Sequence, residues 1–370
     1  MTIWIILICF KFLVKVLVRR NWFILASFLL GVILISSNSI PTLQNFSAGS
    51  SEQNNVISNA YATSGNDVAK PTLSIIASIK VGNSPAGIGI NTLTKKIYVA
   101  NQNDGTVSVI NAVTNSVIKI ITAGSRPLNI DVNTRTNMIY VTNFNSNSVS
   151  VINGTTDTVV STIPVGSNPV GVGVNPVTNK IYVANFNDGT VSVIDGATNN
   201  VVDTITVGPT NTSGVGVNPV TNKIYVTNAN TDGHLPGTVS VINGANDQVL
   251  STIGMGNNPQ LAVVNPITDM IYITNQVSHT ISKINGKNNA VFTTHVAAGP
   301  GGIGMNKITN KIYYSTSSGN LQVINGTSGS IIATIATGET QPDYIGVNPN
   351  TNRVYVSDLS SNIVIVISGS

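Results

Sequence analysis

The chain has 370 residues with a formal charge of +4, of which 9% are charged and 5% aromatic. Charged residues make up about a quarter of an ordinary soluble protein, so long charged helices are excluded and strands with polar turns are expected. Four of the 18 basic residues, Lys11, Lys15, Arg19 and Arg20, precede the first acid, Glu52, which leaves 14 basic against 14 acidic residues and no expectation of a nucleic-acid partner.

Residues 1–36 read as a signal peptide or an N-terminal membrane anchor. The apolar run "WFILASFLLGVILI", Trp22 to Ile35, follows Arg19-Arg20 and precedes "SSNS". That order of basic, apolar and small polar residues fits an export signal, and the run is short for a bilayer span. The upstream stretch "IWIILICFKFLVKVLV" is also apolar, which keeps the anchor reading open; a start near Val18 would leave an ordinary signal. An exported protein is expected, extracellular or at the cell surface, touching a membrane only through this segment if it is uncleaved. The one cysteine, Cys9, lies here, so the rest of the chain has no disulfide or thiolate ligand.

Residues 37–70 are rich in Ser, Asn and Gly without apolar periodicity, and read as a flexible linker.

Residues 71–370 are a repeat. An Ile-Tyr-Val-like core recurs at Tyr98, Tyr140, Tyr182, Tyr225, Tyr272, Tyr313 and Tyr355, at intervals of 42, 42, 43, 47, 41 and 42 residues. A strand-rich period in the low forties fits a blade of four antiparallel strands. In one copy, "VGVGVNP" (Val170 to Pro176), "KIYVANF" (Lys180 to Phe186), "TVSVIDG" (Thr190 to Gly196) and "NVVDTITVG" (Asn200 to Gly208) each alternate or run apolar between turn signals. Asn179 and the Asn187 to Gly189 stretch supply residues that tolerate left-handed turns. The last copy stops after its third strand, and a spare strand, "LSIIASIKVG", stands before the first. The expected fold is therefore all-β: a seven-bladed β-propeller of four-stranded antiparallel blades, closed by an N-terminal strand that completes the last blade. Gly87, Gly89, Gly171, Gly173, Gly214 and Gly216 are expected where inner strands crowd the axis.

The motifs "IYVAN", "IYVTN" and "VNPVTNKIYV" resemble the YVTN β-propeller repeat family across about residues 71–370. The resemblance implies kinship with surface-layer and other exported prokaryotic proteins. The fold it implies is also used by lactonases, a streptogramin lyase and domains of redox enzymes, so fold alone selects no activity.

The chemistry-bearing residues are sparse. His234, His279 and His295 form no ligand motif; the first is expected on a loop and the others on outer strands of one blade. "NANTDG", Asn228 to Gly233, resembles the start of a calcium loop, but Val239 stands where a bidentate acid is needed. No metal site or cofactor is expected. No Gly-x-Ser-x-Gly nucleophile motif is present. Asn129, Asp131 and Tyr344 replace small residues in inner strands, and the loops carrying Arg126, His234, Glu339 and Asp343 depart from the repeat. In a propeller the fourth-to-first and second-to-third turns share one rim, and residues freed from the repeat there are candidates for recognition. The expected function is a non-catalytic binding or scaffold protein that meets a protein or glycan at the cell envelope; the alternative is a lactonase- or lyase-like enzyme with its site at the channel mouth. Asn-x-Ser/Thr sequons at Asn45, Asn153, Asn211 and Asn325 are potential glycosylation sites.

Overall fold

The computed structural model describes residues 73–369 apart from 231, 233, 339 and 340, so the expected leader (1–36) and linker (37–70) lie outside the described residues. The described residues form seven four-stranded antiparallel sheets. Six blades are continuous in sequence, at 85–122, 127–164, 169–206, 212–257, 259–295 and 300–336. The seventh takes three strands from 342–368 and its outermost strand, Ser74–Lys80, from the other end of the described chain. Each inner strand neighbours the inner strand of the next blade, and the last neighbours the first, which makes a seven-bladed β-propeller.

The third blade shows why these residues take this form. Its strands are Pro169–Asn175, Lys180–Asn185, Thr190–Asp195 and Asn200–Thr206, from the axis outward. The inner strand pairs Gly173 with Tyr182. A Cβ on Gly171 would lie 2.1 Å from the Ser213 carbonyl oxygen of the next blade, so the backbones there meet as only glycine allows. The turn after the inner strand ends at Asn179 with φ 57°, the left-handed region that asparagine tolerates.

Three side chains of the repeat hold the joints. The tyrosines are fully buried, and the apolar clusters span neighbouring blades: Tyr140, Val149 and Ile163 of the second pack against Val172, Ile181 and Ile194 of the third. The asparagine ending the second strand pins the third, with Asn185 Nδ2 donating to Thr190 Oγ1 and Ser192 Oγ, both at 3.0 Å. The asparagine ending the inner strand caps its own turn, as Asn175 Oδ1 accepts Val177 N at 3.0 Å. Its amide then crosses to the next blade, donating to Asn222 Oδ1 at 2.8 Å. Five other joints repeat that clip, through Asn91–Asn137, Asn133–Asn179, Asn218–Asp269, Asn265–Asn310 and Asn306–Asn352. At the joint between last and first blades the receiving position is Lys95, whose ammonium has no acceptor to offer.

Because each blade buries apolar side chains against its neighbours, an open row would leave two flanks uncovered; a closed circle covers both. Ser74–Lys80 pairs antiparallel with Ile363–Ser368, from Ser74 opposite Ser368 to Lys80 opposite Ile363. The Ser74 and Ser368 hydroxyls lie 2.8 Å apart, and Val81 N donates to Asn362 O at 3.0 Å.

Candidate functional site

The inner strands enclose an axial channel, with a cavity of about 330 Å³ towards one end and one of about 350 Å³ towards the other; the first is the candidate site. Asn129, Asp131 and Tyr344 line it together with Lys307 among aliphatic residues, so the three polar departures of the inner strands from the repeat are brought to one place. Asn129 and Asp131 sit on the second blade and Tyr344 on the seventh, with the first blade between them.

Asp131 stands opposite Tyr140, the register place held by Gly89, Gly173, Gly216, Gly304 and Gly346 in five other blades. At Gly173 a Cβ would meet Val215 Cγ1 at 2.7 Å, so the second joint must be arranged differently. There the carboxylate fills the space: Val132 N donates to Oδ1 and Val174 N, from the third blade, to Oδ2, each at 2.7 Å. Burial pushes the Asp131 carboxyl up to about 6, against the lowering effect of these two amides. Asn129 likewise turns its Oδ1 to Ile130 N at 2.8 Å.

On the seventh blade Asp343 is pushed up to about 6, first by burial and then by the nearby Asp358 charge. Asp358 goes the other way. Although burial raises it, hydrogen bonds from Ser360, Ser361 and Gln341 hold it below the usual carboxylate range. The Tyr344 phenol is pushed far up by burial and by Asp343, and Arg126 opposes the shift. Arg126 therefore acts at the same mouth. It occupies the left-handed region at φ 56°, with its guanidinium 4.7 Å from the centre of the Phe144 ring and Nε donating to Gln102 Oε1 at 3.3 Å.

The remaining expected residues are elsewhere. His234 is on an exposed loop beside Asp232, with Nδ1 3.0 Å from the Asp232 carbonyl oxygen, and does not line the channel. Glu339 lies outside the described residues. His279, expected on an outer strand, instead ends the second-to-third turn at φ 51°. It stands where Gly105 and Gly189 stand in other blades, and a left-handed turn rather than strand alternation fixes its place. His295 does end an outer strand, Val291–His295. The loop resembling a calcium site uses Asn228 as the strand pin, donating to Ser240 Oγ at 3.0 Å, and Val239 is core. The sequon residues Asn153 and Asn325 are half-buried turn caps, and Asn211 donates to Asn230 O at 3.2 Å; Asn45 lies outside the described residues.

A divalent ion of the kind used by lactonases does not fit this mouth. Both Asp131 oxygens and the Asn129 oxygen already accept backbone amides, and among the described residues no three His, Cys, Asp or Glu side chains converge.

Sequence reasoning missed Lys307. It lines both ends of the channel, because it replaces the proline of the first-to-second turn held by Pro176, Pro219, Pro266 and Pro349. The signal was visible as "NKIT" among "NPVT" and "NPIT" copies. The channel therefore carries a carboxylate and a phenol towards one mouth, with the ammonium of Lys307 lining both ends.

Among the described residues no helix is long and apolar enough to cross a membrane. No protein-family model matches the chain, and no curated protein matches it. Among solved structures it is similar to a chain of Kuenenia stuttgartiensis hydrazine synthase, with a TM-score of 0.72 and 18% identity over 78% of this chain and 96% of that one. At that identity the likeness extends to the fold and no further.

Proposed function

We propose that this protein is an exported, non-catalytic propeller of the YVTN-repeat type. In this reading it binds a protein or glycan at the cell envelope through the rim that carries the irregular loops. The observation that supports it is the meeting of Asn129, Asp131 and Tyr344 in one cavity, with exposed Arg126 on the turn that leads into the inner strand carrying the first two. These groups are hydrogen-bond donors, acceptors and an aromatic face on a rigid ring, which suits recognition of a polar ligand. Asp131 has both oxygens engaged by amides, which suits a fixed acceptor better than a general base. Export rests on the basic-then-apolar order of residues 1–36.

The test is capture from the envelope of the producing cell, with the parent protein and an Arg126→Ala/Tyr344→Ala variant side by side. A specific protein or glycan retained by the parent and lost by the variant is the expected result. Equal retention by both, or none by either, refutes the binding reading. Recovery of the protein from the cytoplasm alone refutes export.

A further inference from the structure

The body is neutral in sum, but the structure separates its charges. The first-to-second and third-to-fourth turns share one rim, and its exposed ionic residues are Lys95, Arg135, Lys287 and Lys307. The acids of that rim are withdrawn. Asp157, Asp247 and Asp269 are buried; the first two pair with Lys96 and Lys180 at 2.6 Å, and Asp269 accepts Asn218. Asp195 is half-buried and caps its turn by accepting Ala197 N at 2.9 Å. The opposite rim exposes Asp104, Asp188 and Asp232, alongside Arg126 and Lys80.

The cationic rim is also studded with aliphatic side chains. The tip of the first-to-second turn is Leu93, Val177, Val220, Ile267 or Ile308 in five of the seven blades, exposed by 62% to 74%. In the other two blades it is Arg135 and Asn350. The residues just before these tips, among them Thr92, Pro176, Pro266 and Lys307, line a single opening, so the tips encircle one channel mouth. The turns of the opposite rim carry Asn103-Asp104, Asn187-Asp188 and Ser360-Ser361 instead. Scattered exposed aliphatics are normal on a protein surface, but here they fall at repeat-equivalent positions on one rim and not on the other.

We infer that this rim lies on an anionic lipid surface, with the aliphatic tips in the headgroup region and Lys95, Arg135, Lys287 and Lys307 against the lipid phosphates. A circle of separate apolar tips forms no groove for a peptide, whereas a fluid leaflet takes all of them at once. Cations near such a surface are drawn to it by its negative potential, an attraction that salt screens. A second copy of this chain fits this rim less well, although its opposite rim carries acids. Rim against like rim would bring the four cations together, and rim against opposite rim would press the aliphatic tips onto Asn103, Asp104, Asn187 and Asp188. The chain's own course adds support. Ser74, where the outermost strand begins, pairs with Ser368, and Ser368 pairs with Arg353 at a first-to-second turn, so that strand begins on this same rim. The inference is independent of what the opposite rim binds.

The test uses the full chain with Cys9→Ser, so that a polarity-sensitive fluorophore can be placed on Ile267→Cys or, as the control on the opposite rim, on Asn187→Cys. Vesicles of phosphatidylcholine carrying phosphatidylglycerol are compared with phosphatidylcholine alone and with no vesicles. The expected result is a blue shift with anionic vesicles at position 267 and none at 187, whether or not the leader also anchors the chain. Combining Lys95→Glu, Arg135→Glu, Lys287→Glu and Lys307→Glu should abolish that shift while the melting temperature and circular dichroism persist. If the reversal unfolds the protein, raised salt on the unreversed labelled chain serves instead, and should diminish the shift. No shift at 267, shifts at both positions, a shift unaffected by charge reversal or salt, or shifts without vesicles (the sign of stacked copies) would each overturn the inference.

Discussion

Asn306 donates its side-chain amide to Asn352 Oδ1, 2.8 Å away across the joint between the sixth and seventh blades. The corresponding partner position at the next joint, between the seventh blade and the first, is Lys95, held in the left-handed region at φ 57°. Lysine is poorly suited to that backbone and cannot accept the amide of Asn348. Lys95→Asn should therefore supply the missing clip and relieve the backbone together, raising stability by about 1 kcal/mol. Thermal melting of parent and variant checks it, and an unchanged or lower midpoint would count against the account of the joints.

The repeated tyrosines are not equal. Tyr98 OH donates to Asp157 Oδ1 at 2.7 Å, while the Tyr140 hydroxyl is buried without a partner. Tyr98→Phe leaves Asp157 short of a donor and should cost roughly 1–2 kcal/mol. Tyr140→Phe removes a buried, unmatched hydroxyl and should be neutral or stabilising. Denaturant midpoints of the two variants should fall on opposite sides of, or at clearly different distances from, the parent.

Asp343 predicts a pH dependence. Its folded carboxyl titrates near 6, above the value of about 3.9 for an unfolded aspartate. Between those values the folded state holds the extra proton, so the stability difference falls as pH rises from about 4 to 6 and levels off above. Asp131 acts in the same direction. Asp358, held low by its hydrogen bonds, has the opposite sign: its contribution is present above pH 4 and is lost in stronger acid. Asp343→Asn should thus raise the melting temperature at pH 7.5 and leave it nearly unchanged at pH 4, a difference on the order of 1 kcal/mol given the partial access of water. Melting curves across that range decide it.

Removing Leu73 to Lys80 would strip the outermost strand from the last blade. Ile363–Ser368 would then present an unpaired edge, and Ile79 would leave the cluster it shares with Val364 and Val366. Early melting and aggregation are expected, because exposed apolar edges recruit other chains. Solubility and heat resistance equal to the parent would contradict the closure.

Most of the fold was legible because its determinants are local and repeated. Alternation in Val170 to Asn175, turn asparagines such as Asn179, and the spacing of the tyrosines each mark an element within a few residues. The spare strand revealed the closure by arithmetic. The channel mouth was half legible: Asn129, Asp131 and Tyr344 show as departures from a glycine pattern, but their meeting depends on blade order in space. Lys307 escaped because candidates were sought on the fourth-to-first and second-to-third turns, whereas this exposed residue of a first-to-second turn also lines the channel opening. The polarity of the two rims escaped for a different reason. Turns of the two rims alternate along the chain, so a linear sum mixes their charges and cancels them.

The 2.8 Å contact between Ser74 and Ser368 joins residues 294 positions apart. Pairing at such separation is slow, because the entropy of bringing distant segments together is lost before any contact repays it. The first strand of the described chain must therefore wait for the last to be made. Synthesis direction thus imposes an order: the ring cannot lock until the final six-residue strand emerges, and a truncated translation product is condemned to remain an unfinished arc.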